Sequence, residues 1–332
     1  MWRNSKGLFL ITALVVFGGA RASEPGSAPL LHPTPYLASP YQQYELSLRA
    51  FYPVPSRAAG VLLETRINGG KPLRLVLDSG AESIVIGAKS ARSAGLSMES
   101  ELDLIGVGKR RARKARAERI EIGPVSFGNY PVTFVDGTVV EGADGVIPLS
   151  MFSDFLLRLN LPGKKLILIP YPSGQGRETT PLSEITKHHL LLVKTTVNGT
   201  QQGYLVLDTG ASCSAVSRQA GRTLFSSHNV SEVPLATGTG VATGQLISSD
   251  VHFVIADQDV NPKEVVSVDL AILNYHYGVE LVGVLGYPAL MNYVLTVDYR
   301  HERVDMETSQ GNSAPDRHRD HEANVPATLA FH

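Results

Sequence analysis

The stretch Val61–Ala81, VLLETRINGGKPLRLVLDSGA, returns 130 residues later as Leu191–Ala211, LLVKTTVNGTQQGYLVLDTGA, and the two agree without gaps at ten of 21 positions. Ordinary composition gives roughly one match by chance. A second pair follows in the same order: Gly145–Leu168 (GVIPLSMFSDFLLRLNLPGKKLIL) against Gly283–Met306 (GVLGYPALMNYVLTVDYRHERVDM), at an offset of 138. The chain therefore reads as two copies of one unit, residues 60–172 and 188–306, joined by a Pro/Ser/Gly-rich linker at 173–187.

Within each unit, the apolar runs Val61–Ile67 and Leu191–Val197 stop at Asn68-Gly69 and Asn198-Gly199, the dipeptides that favour two-residue hairpin turns. Leu73–Leu77 and Tyr204–Leu207 return as the second strands and run without polar interruption into an aspartate, as expected of strands buried on both faces. Helical periodicity is confined to Ala88–Ala94, Ser217–Leu224 and a short stretch in Leu149–Leu156. The expected class is all-β, with two duplicated barrel-like lobes and a few short helices.

The chain has 332 residues, which suits two compact units plus tails. Residues 1–22 hold Arg3, Lys6 and Arg21 but no acid, so the remainder carries 30 − 3 = 27 basic against 31 acidic residues, a balance that argues against a nucleic-acid partner. The lone cysteine, Cys213, offers neither an internal disulfide nor a cysteine-rich metal site. No G-x-S-x-G elbow and no H-E-x-x-H helix occurs, which removes the usual serine-hydrolase and zinc-protease signatures.

Residues 1–22 combine early positive charge, the apolar run Leu8–Phe17 and Ala20-Arg21-Ala22, the pattern of a cleaved export signal. The run is short of the ~20 residues needed to span a bilayer, so the expectation is an exported mature chain, periplasmic or extracellular, without stable membrane insertion. Residues 23–59 are punctuated by Pro25, Pro29, Pro33, Pro35, Pro40, Pro53 and Pro55 and read as an extended leader or pro-segment. The polar end, 307–332, reads as a disordered tail.

The chemistry concentrates in Asp78-Ser79-Gly80-Ala81 and Asp208-Thr209-Gly210-Ala211. A carboxylate ending a buried strand is costly unless hydrogen-bonded or used. The glycine lets the backbone approach the carboxylate, and the Ser or Thr hydroxyl is able to bond across to the other copy. One such motif is an ordinary turn; two at equivalent points of a duplicated β unit resemble the aspartic peptidases, more closely their retropepsin-like branch, where Asp-Thr-Gly-Ala is the usual form. The resemblance spans both units and omits the leader and tail. It implies two lobes about a pseudo-twofold axis, a hairpin flap over an extended peptide, and catalytic Asp78 and Asp208 supported by Ser79, Gly80, Thr209 and Gly210. It also implies a peptide or protein substrate, a monomeric enzyme and no cofactor or metal. Gly283-Val284-Leu285-Gly286 resembles the family's segment backing the catalytic loop; in the first lobe the matching Gly145-Val146-Ile147-Pro148 ends in proline.

Two carboxylates about 3 Å apart do not both ionise, so the pair is expected to share a proton and activate a water. Alanine at 81 and 211 withholds a further hydroxyl from the charged form, which predicts an optimum around pH 5 to 6 as an order-of-magnitude figure. The basic run Lys109, Arg110, Arg111, Arg113, Lys114, Arg116 and Arg119 falls where the resemblance places the first flap. It reads either as a site for acidic partners or as a solvated hairpin. Thr237–Gly244 is the second lobe's equivalent. The alternative from another class is a non-catalytic peptide-binding or scaffold protein on the same fold, prompted by Pro148 and the basic flap.

Overall fold

A computed structural model describes residues 42–171 without 54 and 56, 189–224, and 231–309 without 257; the short strands Phe9–Leu10, Val16–Gly18, Pro35–Tyr36 and Ser183–Ile185 are described as backbone alone. The protein is all-β and bilobal. Each lobe opens with the expected hairpin: Gly60–Ile67 with Leu73–Asp78, and Leu191–Val197 with Gln201–Asp208. Asn68 and Gly69 have φ of 49° and 69°, Asn198 and Gly199 of 46° and 70°, the left-handed pair that a two-residue turn between twisted strands demands. Both asparagine side chains are also used. Asn68 Nδ2 donates to Ala94 O (3.1 Å), and Asn198 Nδ2 donates to Asp250 O (3.1 Å), pinning each hairpin to its lobe.

The strand register repeats with the sequence offsets. In the first lobe Gly145–Pro148 runs parallel to Leu73–Asp78, with Pro148 opposite Asp78, and antiparallel to Ile84–Gly87, with Val146 opposite Val85. In the second, Leu281–Gly286 runs parallel to Gln201–Asp208, with Gly286 opposite Asp208, and antiparallel to Ser214–Ser217, with Val284 opposite Ala215. Each aspartate strand is thus clamped between two neighbours, and Leu75, Val76, Leu77, Leu205, Val206 and Leu207 are all buried. This is why those stretches carry no alternation of polar residues.

A third, five-stranded sheet joins the lobes. Its order is Arg303–Thr308, Tyr293–Asp298, Phe155–Asn160, Lys165–Pro170 and Tyr44–Ser47, and its centre pairs Leu157 with Val297 and Leu159 with Leu295. This sheet corrects the boundary of the leader. Tyr44–Ser47 pairs with Lys165–Leu168, and Arg49–Phe51 pairs with Gly60–Leu62, so the folded body begins well before residue 60. The physical reason is the period-two pattern of YELSL: Tyr44, Leu46 and Leu48 are buried while Glu45 and Ser47 face solvent, a half-buried strand bracketed by prolines. The last strand ends at Thr308, two residues past the second unit's expected limit. Most of the export signal, the linker and the tail lie outside the described residues.

The expected helices form at Ala88–Ser93, Arg218–Leu224 and, as one 3-10 turn, Leu149–Phe152, after which the chain becomes the strand Phe155–Asn160. Ala271–Tyr277 and Tyr287–Leu290 are further helices for which no periodic signal stood out, each being under two turns. Among the described residues no helix is long and apolar enough to cross a membrane.

Candidate active site

Asp78 and Asp208 end corresponding strands and meet where the lobes face each other, both fully buried. The loops that carry them grip one another. Ser79 Oγ donates to Leu207 O at 2.7 Å and accepts from Thr209 N at 3.0 Å; Thr209 Oγ1 donates to Leu77 O at 2.7 Å and accepts from Ser79 N at 3.1 Å. Four reciprocal bonds between buried groups fix one loop against the other, and each hydroxyl is used as donor and acceptor.

The glycines are required by the opposite carboxylate rather than by unusual dihedrals. A Cβ on Gly80 would stand 2.8 Å from Asp208 Cγ, and one on Gly210 would stand 2.4 Å from Asp78 Cγ. Any side chain there would drive the carboxylates apart. The same glycines supply amides: Gly80 N donates to Asp78 Oδ1 at 2.8 Å, while Asp208 Oδ1 accepts from Gly210 N at 2.8 Å and Ala211 N at 3.1 Å. All six residues singled out by the motif reading are therefore brought together.

Burial, then the neighbouring Asp208 charge, holds the Asp78 carboxyl well above the usual carboxylate range. Burial also lifts Asp208, to about 6, against the opposing pull of the Gly210 amide, the hydrogen bond with Asp78 and the Ala211 amide. The two carboxyls interact, so they titrate as a pair and the raised range belongs to the dyad.

Beside the pair stands Tyr277, at the end of Ala271–Tyr277. Burial, and then the charges of Glu82, Asp208 and Asp78, push its hydroxyl far above its ordinary range. Position 277 lies outside the repeated blocks and carries no motif. Ser214 is the other residue that the motif reading missed: its Oγ accepts from Gly286 N at 3.1 Å.

The basic run lies on Lys109–Ile122, and that strand, the strand beside it and a nearby loop supply acids. Arg111 meets Glu101 at 2.8 Å, Arg116 meets Glu99 at 3.5 Å, Arg119 meets Glu121 at 3.3 Å, and Arg113 pairs with Asp136. Much of the run is thus internally compensated on a solvated surface, where each pair contributes little energy.

Residues 63–183 match the family model described as aspartyl protease. The match supports an aspartic peptidase family. It includes Asp78 and stops ahead of Asp208, so the second aspartate enters through the repeat and the geometry. No curated protein matches the chain.

Proposed function

We propose that the protein is an aspartic endopeptidase of retropepsin-like type in which Asp78 and Asp208, one from each lobe of a single chain, activate a water to hydrolyse a peptide bond. The observation that supports this most is the reciprocal Ser79–Thr209 grip, which holds two buried carboxylates face to face at glycines that leave room for nothing else. A merely structural crossing would be cheaper with apolar residues, because burying two carboxylates costs free energy.

In this reading Asp208, ionised above about pH 6, takes the proton of a water lying between the carboxyls. The water oxygen attacks the scissile carbonyl while Asp78 donates its proton to the developing oxyanion; Asp208 then passes the proton taken from the water to the nitrogen as the C–N bond breaks, and Asp78 recovers its proton from the collapsing diol. Ser79 and Thr209 keep the geometry, and the Gly80 and Gly210 amides stabilise Oδ1 of their own carboxyls. The reading takes the mature chain as exported and monomeric, since both halves of the dyad come from one polypeptide.

The test is cleavage of a mixed peptide library from pH 3 to 8 beside Asp78→Asn and Asp208→Asn. Both substitutions are expected to lower kcat by roughly a thousandfold or more, as loss of a reacting group does. Activity is expected to climb with pH as Asp208 ionises, towards about 6. An optimum at pH 2 to 3, or full activity in either variant, would sink the proposal. Peptide binding without turnover in the wild type would favour the scaffold reading.

A further inference from the structure

The first lobe's hairpin, Met98–Ile105 with Lys109–Ile122, turns at Gly106-Val107-Gly108; the second lobe's, Ser231–Thr237 with Gly240–Ile247, turns at Gly238-Thr239. The tips touch. Gly108 N donates to Thr239 Oγ1 at 3.1 Å, and Thr239 Oγ1 lies 3.0 Å from Thr237 Oγ1, which donates to Gly240 O at 2.9 Å. Each hairpin also rests on the opposite lobe: Ile105 and Val107 pack on the cluster that holds Ala211 and Leu235, and Ala236 packs on the cluster that holds Ala81 and Leu104. Ala81 and Ala211, which end the two Asp-Ser/Thr-Gly-Ala motifs, belong to these same clusters.

Arg110 spans the junction. Its Nη1 donates to Thr138 O at 3.1 Å and to Gly238 O at 3.4 Å, and its Nη2 donates to Asp136 O. Asp136 and Thr138 follow the first-lobe strand Val125–Val135, so a guanidinium anchored in one lobe reaches the hairpin tip of the other. Counted from the pairs that close each turn, Ile105 with Lys109 and Thr237 with Gly240, the second hairpin has Val241 at the equivalent position, a side chain with no donor to return the contact. The junction is therefore asymmetric.

We propose that Arg110 is a positioning residue that ties the two hairpins into one lid, so that they open and close on a peptide together. This rests on the peptidase reading of the cleft. A planar fork that serves three carbonyls is not reproduced by an ammonium, so lysine is expected to restore only part of the effect.

The experiment uses the double variant Gly108→Cys/Thr239→Cys in the full chain. A Cβ at position 108 lies 3.9 Å from Thr239 Cβ, within the spacing that a disulfide needs, and native Cys213 is buried away from oxidant. The disulfide is expected to form under mild oxidation, stop peptide cleavage and release it on reduction. Adding Arg110→Ala is expected to slow disulfide formation by about tenfold, and Arg110→Ala alone to lower kcat/KM by about tenfold with an unmoved pH profile, the scale of one lost charge-assisted bond. Unchanged cross-linking rates, or wild-type kcat and KM in Arg110→Ala, overturn the proposal. If the wild type cleaves no peptide, the peptidase reading falls while the cross-linking rates still decide whether Arg110 couples the tips.

Discussion

The two aspartate loops differ most where their backing strands end. In the second lobe Gly286 N donates to Ser214 Oγ, and a Cβ on Gly286 would lie 2.3 Å from Cys213 O and 2.9 Å from Ala211 O. In the first lobe the same two places hold Pro148, which has no N–H, and Ile84, which has no hydroxyl. Donor and acceptor have been removed together, so nothing buried is left unsatisfied, and an apolar pair replaces the hydrogen bond at little cost. Backbone shape is not the issue, because Pro148 and Gly286 have φ of −72° and −83°, both near what proline allows. The proline that prompted the scaffold reading is thus an alternative way of backing Asp78 and no mark of a damaged lobe.

The sharpest way to break this comparison is to put a side chain where the second lobe has none. Gly286→Ala is expected to destabilise by about 3 kcal/mol, because the clash is with loop backbone that has nowhere to move, and to lower cleavage with it. Pro148→Ala, whose Cβ space already exists, restores a buried N–H beside Ile84, which offers no acceptor, and is expected to cost less, about 1 to 2 kcal/mol. Thermal unfolding of the two variants checks both; equal losses would mean that the lobes are backed alike.

Next in size is the charge on the pair. The Asp208 carboxyl, ordinarily near 3.8, is raised to about 6 by burial. A raised carboxyl favours the folded state while protonated, so stability is intact below about pH 4 and is lost as pH rises through 6. Asp208→Asn removes that loss. The variant is expected to match the wild type near pH 4 and exceed it at pH 7 by on the order of 2 kcal/mol. A gap that is the same at both pH values would mean that desolvation of this carboxylate does not govern stability.

Much of this arrangement was legible in the residues. The repeat located both aspartates, both hairpin turns and the shared register, because strands buried on two faces write themselves as unbroken apolar runs. The site's less regular parts left weaker signals. Tyr44, Leu46 and Leu48 alternate with polar residues, but flanking prolines disguised a strand that the inter-lobe sheet completes. Tyr277 and Arg110 act across the lobes, and contacts between segments more than a hundred residues apart follow from tertiary packing, which no local pattern encodes. Of the Ser214–Gly286 pair only one half left a trace, the proline that stands at 148 where the second copy has Gly286; Ser214 carried no motif, and the geometry joined it to the glycine.

A smaller effect separates Ser214 from its counterpart. Ser214→Ala removes the acceptor and leaves the Gly286 N–H buried without it, which is expected to cost about 1 to 2 kcal/mol. Activity is expected to fall only as far as the loop loosens, and a Tm within 1 °C of the wild type would show that this bond carries little, by the usual scaling of stability with Tm in about this size range.

The finest comparison is within the grip itself, where one lobe uses serine and the other threonine. Exchanging them, Ser79→Thr with Thr209→Ser, keeps both hydroxyls and all four reciprocal bonds, so only a methyl group changes sides. Both positions are buried, so the methyl lost at 209 costs roughly 1 kcal/mol, and the one added at 79 has to find space within packed strands. Cleavage is expected to survive the exchange, whereas Ser79→Ala leaves the Thr209 amide without its acceptor and is expected to weaken both loops at once. If the exchanged protein were as inactive as Ser79→Ala, the side of the methyl, and not the hydrogen-bonded crossing, would be what aligns the two aspartates.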